Sequence, residues 1–248
     1  MSDPESDRDD PTARGDDDAT VEWPVDLAGV TESVVATLGP NGLWNLAALG
    51  LHAPEHDGRP ADAPVRARTW GRTRTWRNFS ERGGGVVQFV SDPREFVDAA
   101  ATIREESEPV LDSADAWAEV TAERVDAGER GGTQWVDWHL RVRDATVEQR
   151  AVRTIDRGFG AVIDATVAAS RLDVPAYDTG ELLARLQYFG DVVDRCGGPA
   201  EREAFERLRE ASGWDDRNRG AAAVGEGDPD GDGVSESRRR DGPGRGSE

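Results

Sequence analysis

The sequence contains no lysine. All 30 basic side chains are arginine, set against 50 Asp and Glu, for a formal net charge of −20. Such an acidic excess argues against a surface built to track a polyanion. It fits carboxylates that keep a protein hydrated in strong salt, and so suggests an extreme halophile with a GC-rich genome. Cysteine occurs once, as Cys196, which excludes an intramolecular disulfide and a zinc site made of thiolates. Apolar runs are short: nothing approaches the roughly 18 consecutive apolar residues of a membrane span. The opening MSDPESDRDDPTARGDDDAT has no hydrophobic segment of a secretory signal. These absences lead us to expect a soluble, cytoplasmic protein with no membrane contact.

Catalytic signatures are missing as well. There is no G-x-S-x-G, no Walker loop and no G-x-G-x-x-G, and GERGG at 128–132 reads as a hairpin turn. The three histidines, His52, His56 and His139, offer no third ligand at helical spacing, so no metal site is expected. His52 closely follows an apolar strand and is a lesser candidate for a place near a site. In the tail, Asp228, Asp230, Asp232 and Gly233 imitate the start of a calcium loop, but Arg239 stands where the twelfth-position glutamate belongs.

The 36% of hydrophobic residues is low because both ends are polar. Residues 1–20 and 213–248 are expected to be disordered tails. Between them, VTESVVATL and LWNLAALGL flank a Pro-Asn-Gly turn and predict a hairpin. In PVRARTW, Val65, Ala67 and Thr69 alternate with Arg66, Arg68 and Trp70, the period of a strand. A short helix is expected over 74–82, ended by the glycines at 83–85, then a strand VVQFV and a helix starting at Asp92-Pro93. ADAWAEVTAERV and TQWVDWHLRVR read as two further strands joined by a loop over 126–132, with Trp117, Trp135 and Trp138 as packing residues. Five or six mostly antiparallel strands over about 21–148 suggest a sandwich or a barrel. From 149 to 212 three helical patterns follow, the second bounded by Thr179 and Gly197, with Cys196 as an ordinary helix-end residue.

One stretch departs from the acidic background. From Arg68 to Arg77 there are four arginines, three threonines, two tryptophans and no acid. A strand delivers Arg68 and Trp70, Gly71 turns the chain, and Arg72, Thr73 and Thr75 meet a helix start. Free N–H groups, hydroxyls and arginine forks at such a point suit a phosphate. At molar salt the Debye length is roughly 3 Å, so binding has to rest on direct contacts of this kind. The plainer reading is that Thr73 only caps the helix and the arginines pair with surface carboxylates. Binding of single-stranded nucleic acid through these arginines and tryptophans is disfavoured by the anionic remainder and by salt.

The segment TWRNFSERGGGVVQFVS (75–91) resembles the T-x-x-N-I stretch, Gly turn and apolar strand of flavin reductase-like proteins, the FMN-binding split barrels. NLAALG (45–50) resembles their N-x-A-P-x-G strand, with Ala48 where many relatives have proline. The order of these motifs over about 21–211 is similar to that of an archaeal family of split-barrel proteins with a helical C-terminal domain. The resemblance implies a split β-barrel followed by a small helical domain, binding FMN as a homodimer. Thr75 and Asn78 match the T-x-x-N motif; Arg72 and Thr73 lie in the turn that would face the phosphate, with Arg68 and Gly71 beside them. Asn45 and Ala47 match the flavin-side strand; Trp70 and Trp76 either stack on the ring or serve, as tryptophans near barrel mouths more often do, as core or dimer contacts. An oxidoreductase using NAD(P)H with an unnamed acceptor is the activity implied, and a non-catalytic FMN carrier or sensor is the alternative.

Overall fold

The structure, a computed structural model, describes residues 21–60, 63–150 and 154–218. Val30–Leu38 (β1) and Trp44–His52 (β2) form the expected hairpin. Their antiparallel register runs unbroken from Val30 opposite His52 to Leu38 opposite Trp44. The turn needs Gly42, whose φ is 80°. Next come β3 (Val65–Trp70), α1 (Arg74–Arg82), β4 (Gly84–Val90), α2 (Pro93–Ala101) and β5 (Arg104–Glu106). The long strands β6 (Ala114–Arg130) and β7 (Thr133–Val147) follow, then α3 (Arg157–Ala169), α4 (Thr179–Cys196) and α5 (Pro199–Ser212).

The strands lie in the order β1-β4-β6-β7-β3-β2-β5, every pairing antiparallel, and β1 also pairs with β2. The sheet therefore closes on itself as a six-stranded barrel, with β5 as a short addition outside β2. Closure removes most open edges. Strand alternation then sorts side chains to two faces. Val35, Leu49, Leu51, Val65, Ala67, Val87, Trp138 and Leu140 cluster on one face, with Phe79 from α1 among them. Phe79 meets Trp138 edge-on, ring centroids 5.3 Å apart, so α1 plugs one end of the barrel.

The alternate residues, Val34, Ala36, Leu46, Val86 and Val90, form a second cluster outside the barrel, covered by Phe96 and Ala99 of α2. Val97, on another side of α2, belongs instead to the helical cluster built by α3, α4 and α5. One nine-residue helix thus touches both bodies of apolar packing. Ion pairs reinforce this seam: Arg94 reaches Glu203 of α5 at 3.0 Å, and Arg207 of α5 reaches Asp98 at 2.6 Å.

Three features differ from the sequence reading. The stretch 126–132 is not a seven-residue loop. The β6–β7 ladder continues to Arg130 opposite Thr133, and only Gly131-Gly132 turn, with φ 58° and 78°, as a tight two-residue hairpin requires. Its polar sequence hides a strand because this part of the ribbon stands out from the barrel and is exposed. The three-residue β5 was not foreseen, being too short and charged to show a period. Finally, Gly213 does not open the tail. It takes φ 62° as the cap of α5, and Trp214 folds back into the helical cluster, edge-on to Phe205 at 5.8 Å. Residues 1–20 and the DPDGDG stretch lie outside the described residues.

Candidate functional site

The Arg68–Arg77 stretch sits at the barrel end that α1 plugs. Trp70 ends β3, and Gly71 turns the chain with φ 68°, its N–H donating to the Gln134 carbonyl at 2.7 Å. Thr73 is the N-cap of α1: its hydroxyl accepts from the Trp76 N–H at 3.2 Å. The Arg77 N–H donates to the Thr73 carbonyl. The N–H groups of Arg74 and Thr75 have no intrahelical acceptor, since they precede the first full turn. Any negative charge placed at this helix start also meets the positive end of the α1 dipole, and no acidic residue occupies its first turn.

The residues singled out from the sequence divide into two groups. Thr75 and Asn78 are buried on the barrel side of α1. The Asn78 side-chain amide donates to the carbonyl and the hydroxyl of Thr37, at 3.3 and 3.0 Å, and ties α1 to β1. Asn45 is buried directly opposite Thr37 on β2, and Ala47 lies opposite Val35. So Asn45 of β2, Thr37 of β1 and Asn78 of α1 gather at one barrel end, with Thr75 buried a turn earlier on α1. Arg72 and Thr73 stay exposed on the turn; the Arg72 guanidinium lies 5.8 Å from the Trp76 ring, and among the described residues it makes no ion pair.

Arg68 and Trp70 belong to the other group, on the outer face of β3. The Arg68 fork is bound by Asp137 of β7, with Nε donating at 2.6 Å and Nη2 at 2.8 Å, and its guanidinium stacks 4.0 Å from the Trp135 ring centre and 5.6 Å from that of Trp70. Asp137 is 2% exposed and also lies 3.5 Å from Arg66. Gly128 makes room for this stack, because a Cβ there would come within 2.6 Å of the Trp135 ring. Beneath, the Trp138 indole N–H donates to the Thr69 hydroxyl at 2.9 Å. Arg68 therefore braces the strand that delivers Gly71. Trp70, 43% exposed, is the aromatic surface open beside the turn, while Trp76 is partly buried against the barrel core.

Two residues escaped the sequence reading. Arg74, the first residue of α1, donates from Nη1 to Glu105 of β5 at 2.6 Å, and the same Glu105 oxygen accepts from the Asn41 amide at 3.3 Å. Nothing local marks Glu105, since it reaches the site only through the pairing of β5 with β2, opposite Asn45. Asp137 was equally hidden, because its partner lies 69 residues away.

His52 and His139 lie along the ladder of β2, β3, β7 and β6. His52 on β2 faces Arg66 in the ladder, Arg66 faces His139, and His139 faces Glu123. Burial, and then the Arg59 charge, hold the His139 imidazole below its usual pKa. Among the described residues no three His, Cys, Asp or Glu side chains are grouped to hold a metal ion. Cys196 is exposed at the end of α4. Two cavities lie elsewhere, about 580 Å³ beside Pro109 and Glu148 and about 150 Å³ between α4 and α5. Neither is lined by residues of α1. No helix of the described residues is long and apolar enough to cross a membrane.

A crystal structure of an FMN-bound DUF447 protein from Methanosarcina mazei superposes with a TM-score of 0.60 at 23% identity, covering 75% of this chain and 96% of that one. At that identity the likeness establishes a shared fold, the split barrel with C-terminal helices. Flavoredoxin from Methanosarcina acetivorans (TM-score 0.35, 13% identity, 54% of this chain and 76% of that one) is also similar. So is the styrene monooxygenase flavin reductase of Pseudomonas putida (0.32, 13%, 48% and 82%). Both are too distant to carry an argument. No curated protein matches. Residues 31–149 match the model described as "Protein of unknown function (DUF447) N-terminal domain" and residues 156–210 the one described as "Protein of unknown function (DUF447)"; the chain belongs to the DUF447 family.

Proposed function

We propose that this chain is an FMN-binding flavoprotein whose phosphate site is the Gly71–Thr75 turn. The observation that carries the reading is the start of α1. It presents two N–H groups without intrahelical acceptors, a threonine cap and an arginine not paired with any described carboxylate, at the mouth of a barrel shared with an FMN-bound member of the same family. The donor set fits a phosphate monoester. Arg72 supplies charge, Arg74 offers the N–H donors that Glu105 leaves open, Thr73 and Thr75 supply hydroxyls, and Gly71 lets the backbone approach. Asn45 and Ala47 line the neighbouring strand, and Trp70 offers a stacking surface. Arg68 serves from behind by fixing β3.

When bound, FMN supplies the hydride and electron chemistry, which explains why a site without an acid–base pair suffices. The residues here bind and orient. We assign the activity to the flavin reductase-like oxidoreductases, with NAD(P)H as donor. The reading includes a homodimer in which the second copy completes the pocket. The lysine-free, acidic composition supports a halophilic archaeal cytoplasm as its setting.

The test is the absorbance of the purified chain and its uptake of added FMN. Flavin bands are expected in the wild type and are expected to be lost in Arg72→Ala and Thr75→Ala. A colourless protein that fails to take up FMN refutes the reading. Bleaching by NADH or NADPH supports the reductase. Bound flavin untouched by either nucleotide leaves the carrier, and elution as a monomer at micromolar concentration removes the dimer.

A further inference from the structure

Among the described residues, Arg74 and Glu105 form the one ion pair that links the start of α1 to a different element of the barrel end. Arg74 uses only Nη1 on Glu105, and among the described residues no other acceptor reaches it. A guanidinium carries five N–H donors in a fixed fork, so the Nε and Nη2 side remains for a second acceptor. Glu105 is itself fixed. Its backbone is laddered against Asn45 on β2, and its carboxylate also accepts from Asn41 in the β1–β2 turn. Its neighbour Arg104 pins β5 from the other side, pairing with Glu95 of α2 and with Glu106. A chain of direct contacts therefore runs from α2, which packs on the helical cluster through Val97, through β5 to the first residue of α1.

We propose that Glu105 is a positioning residue for the ligand phosphate: it holds the Arg74 side chain at the helix start with its remaining donors available, and β5 is the element through which the helical part supports the site. This rests on the phosphate reading given above. Arginine is a long side chain with many rotamers, and fixing it costs conformational entropy. With Arg74 about two-fifths exposed, that freedom is lost only when a phosphate arrives unless something already holds the side chain. A carboxylate near a phosphate also repels it. Glu105 is net favourable because its charge is already neutralised by Arg74 and shared with the Asn41 amide.

The experiment compares FMN with riboflavin, which lacks the phosphate, by flavin fluorescence quenching on the full chain. Wild type is expected to prefer FMN. Glu105→Ala and Arg74→Gln are each expected to lower FMN affinity about three- to tenfold while leaving riboflavin affinity within twofold, and the double variant to lose no more than the worse single one. A purely structural role moves both ligands together and overturns the proposal. So does a Glu105→Ala chain that binds FMN more tightly, because Glu105 then competes for Arg74. A wild type that binds neither flavin overturns the phosphate reading itself, and with it this role. A wild type that binds both equally shows a flavin site elsewhere, with the same consequence.

Discussion

Asp137 is the most demanding group on the barrel surface. It is a carboxylate 2% exposed whose two oxygens take both donors of the Arg68 fork, with Arg66 as a third neighbour at 3.5 Å. Asp137→Ala removes the carboxylate that holds the Arg68 fork between Trp70 and Trp135. Removing one partner of a buried pair costs about 3–5 kcal/mol. Arg68 is 26% exposed, so water solvates part of the released guanidinium, and the expected cost falls to about 2–3 kcal/mol. For a chain of this size that corresponds to a fall in Tm of about 4–12 °C. Asp137→Asn keeps one acceptor and is expected to lose about half as much. Denaturant unfolding followed by tryptophan fluorescence measures the difference. The cycle with Arg68→Met isolates the pair: Asp137→Ala is expected to cost at least about 1 kcal/mol less in the Arg68→Met background. If both Asp137 variants stay within about 0.5 kcal/mol of wild type, or if the cycle is additive, the clamp does not brace β3 and the account of Arg68 fails.

Four further outcomes are expected. Phe79→Ala empties the barrel plug against Trp138 and is expected to cost about 3–5 kcal/mol, read by the same unfolding assay. Gly128→Val drives a side chain into the Trp135 ring and is expected to shift the near-ultraviolet circular dichroism while leaving the far-ultraviolet spectrum unchanged. Burial raises the Glu32 carboxyl above its usual range. The folded state therefore binds the proton more tightly than the unfolded one, and this contribution to stability is present at acid pH and lost as pH rises through the raised value, so Glu32→Gln is expected to stabilise the chain at pH 7 and to do so less at pH 4. His139 is shifted the other way, so its contribution is full above the unfolded imidazole range and lost as pH falls from there to the depressed folded value; His139→Gln is expected to flatten this part of the stability profile.

The barrel was legible because period-2 alternation in Val65–Trp70 and the apolar hairpin at 30–52 reflect burial, and burial is written locally. The same holds for α1, whose threonine cap and glycine stop stand at its ends in the sequence as in the structure. What stayed hidden depends on partners distant along the chain. Arg68 and Arg72 look alike in the stretch Arg68–Arg77, yet one is bound through Asp137 and the other, among the described residues, makes no ion pair. The difference is set by the register that places Arg68 opposite Asp137 on β7, and no spacing rule within the motif contains that register. The ribbon residues 126–130 read as loop because a strand that stands clear of the core has no apolar face to declare it.

This division also explains why an acidic chain concentrates arginines here. Within this stretch Arg68 is bound by Asp137 and Arg74 by Glu105, whereas Arg72 lies against the Trp76 ring and, among the described residues, pairs with no carboxylate. The two paired arginines set the backbone and the side-chain geometry, and Arg72 carries charge that no described carboxylate balances. A site built this way does not depend on a diffuse positive field. That matters for a chain of net charge −20, whose long-range potential repels a phosphate and whose short-range donors alone can hold one. It follows that raising salt from about 0.1 M to molar should improve phosphate-ligand binding or leave it unchanged, because screening removes the repulsion and barely touches direct hydrogen bonds. A steep loss of affinity with salt would instead mark a ligand held by diffuse charge, and the turn at Gly71 would then not be the place where it binds.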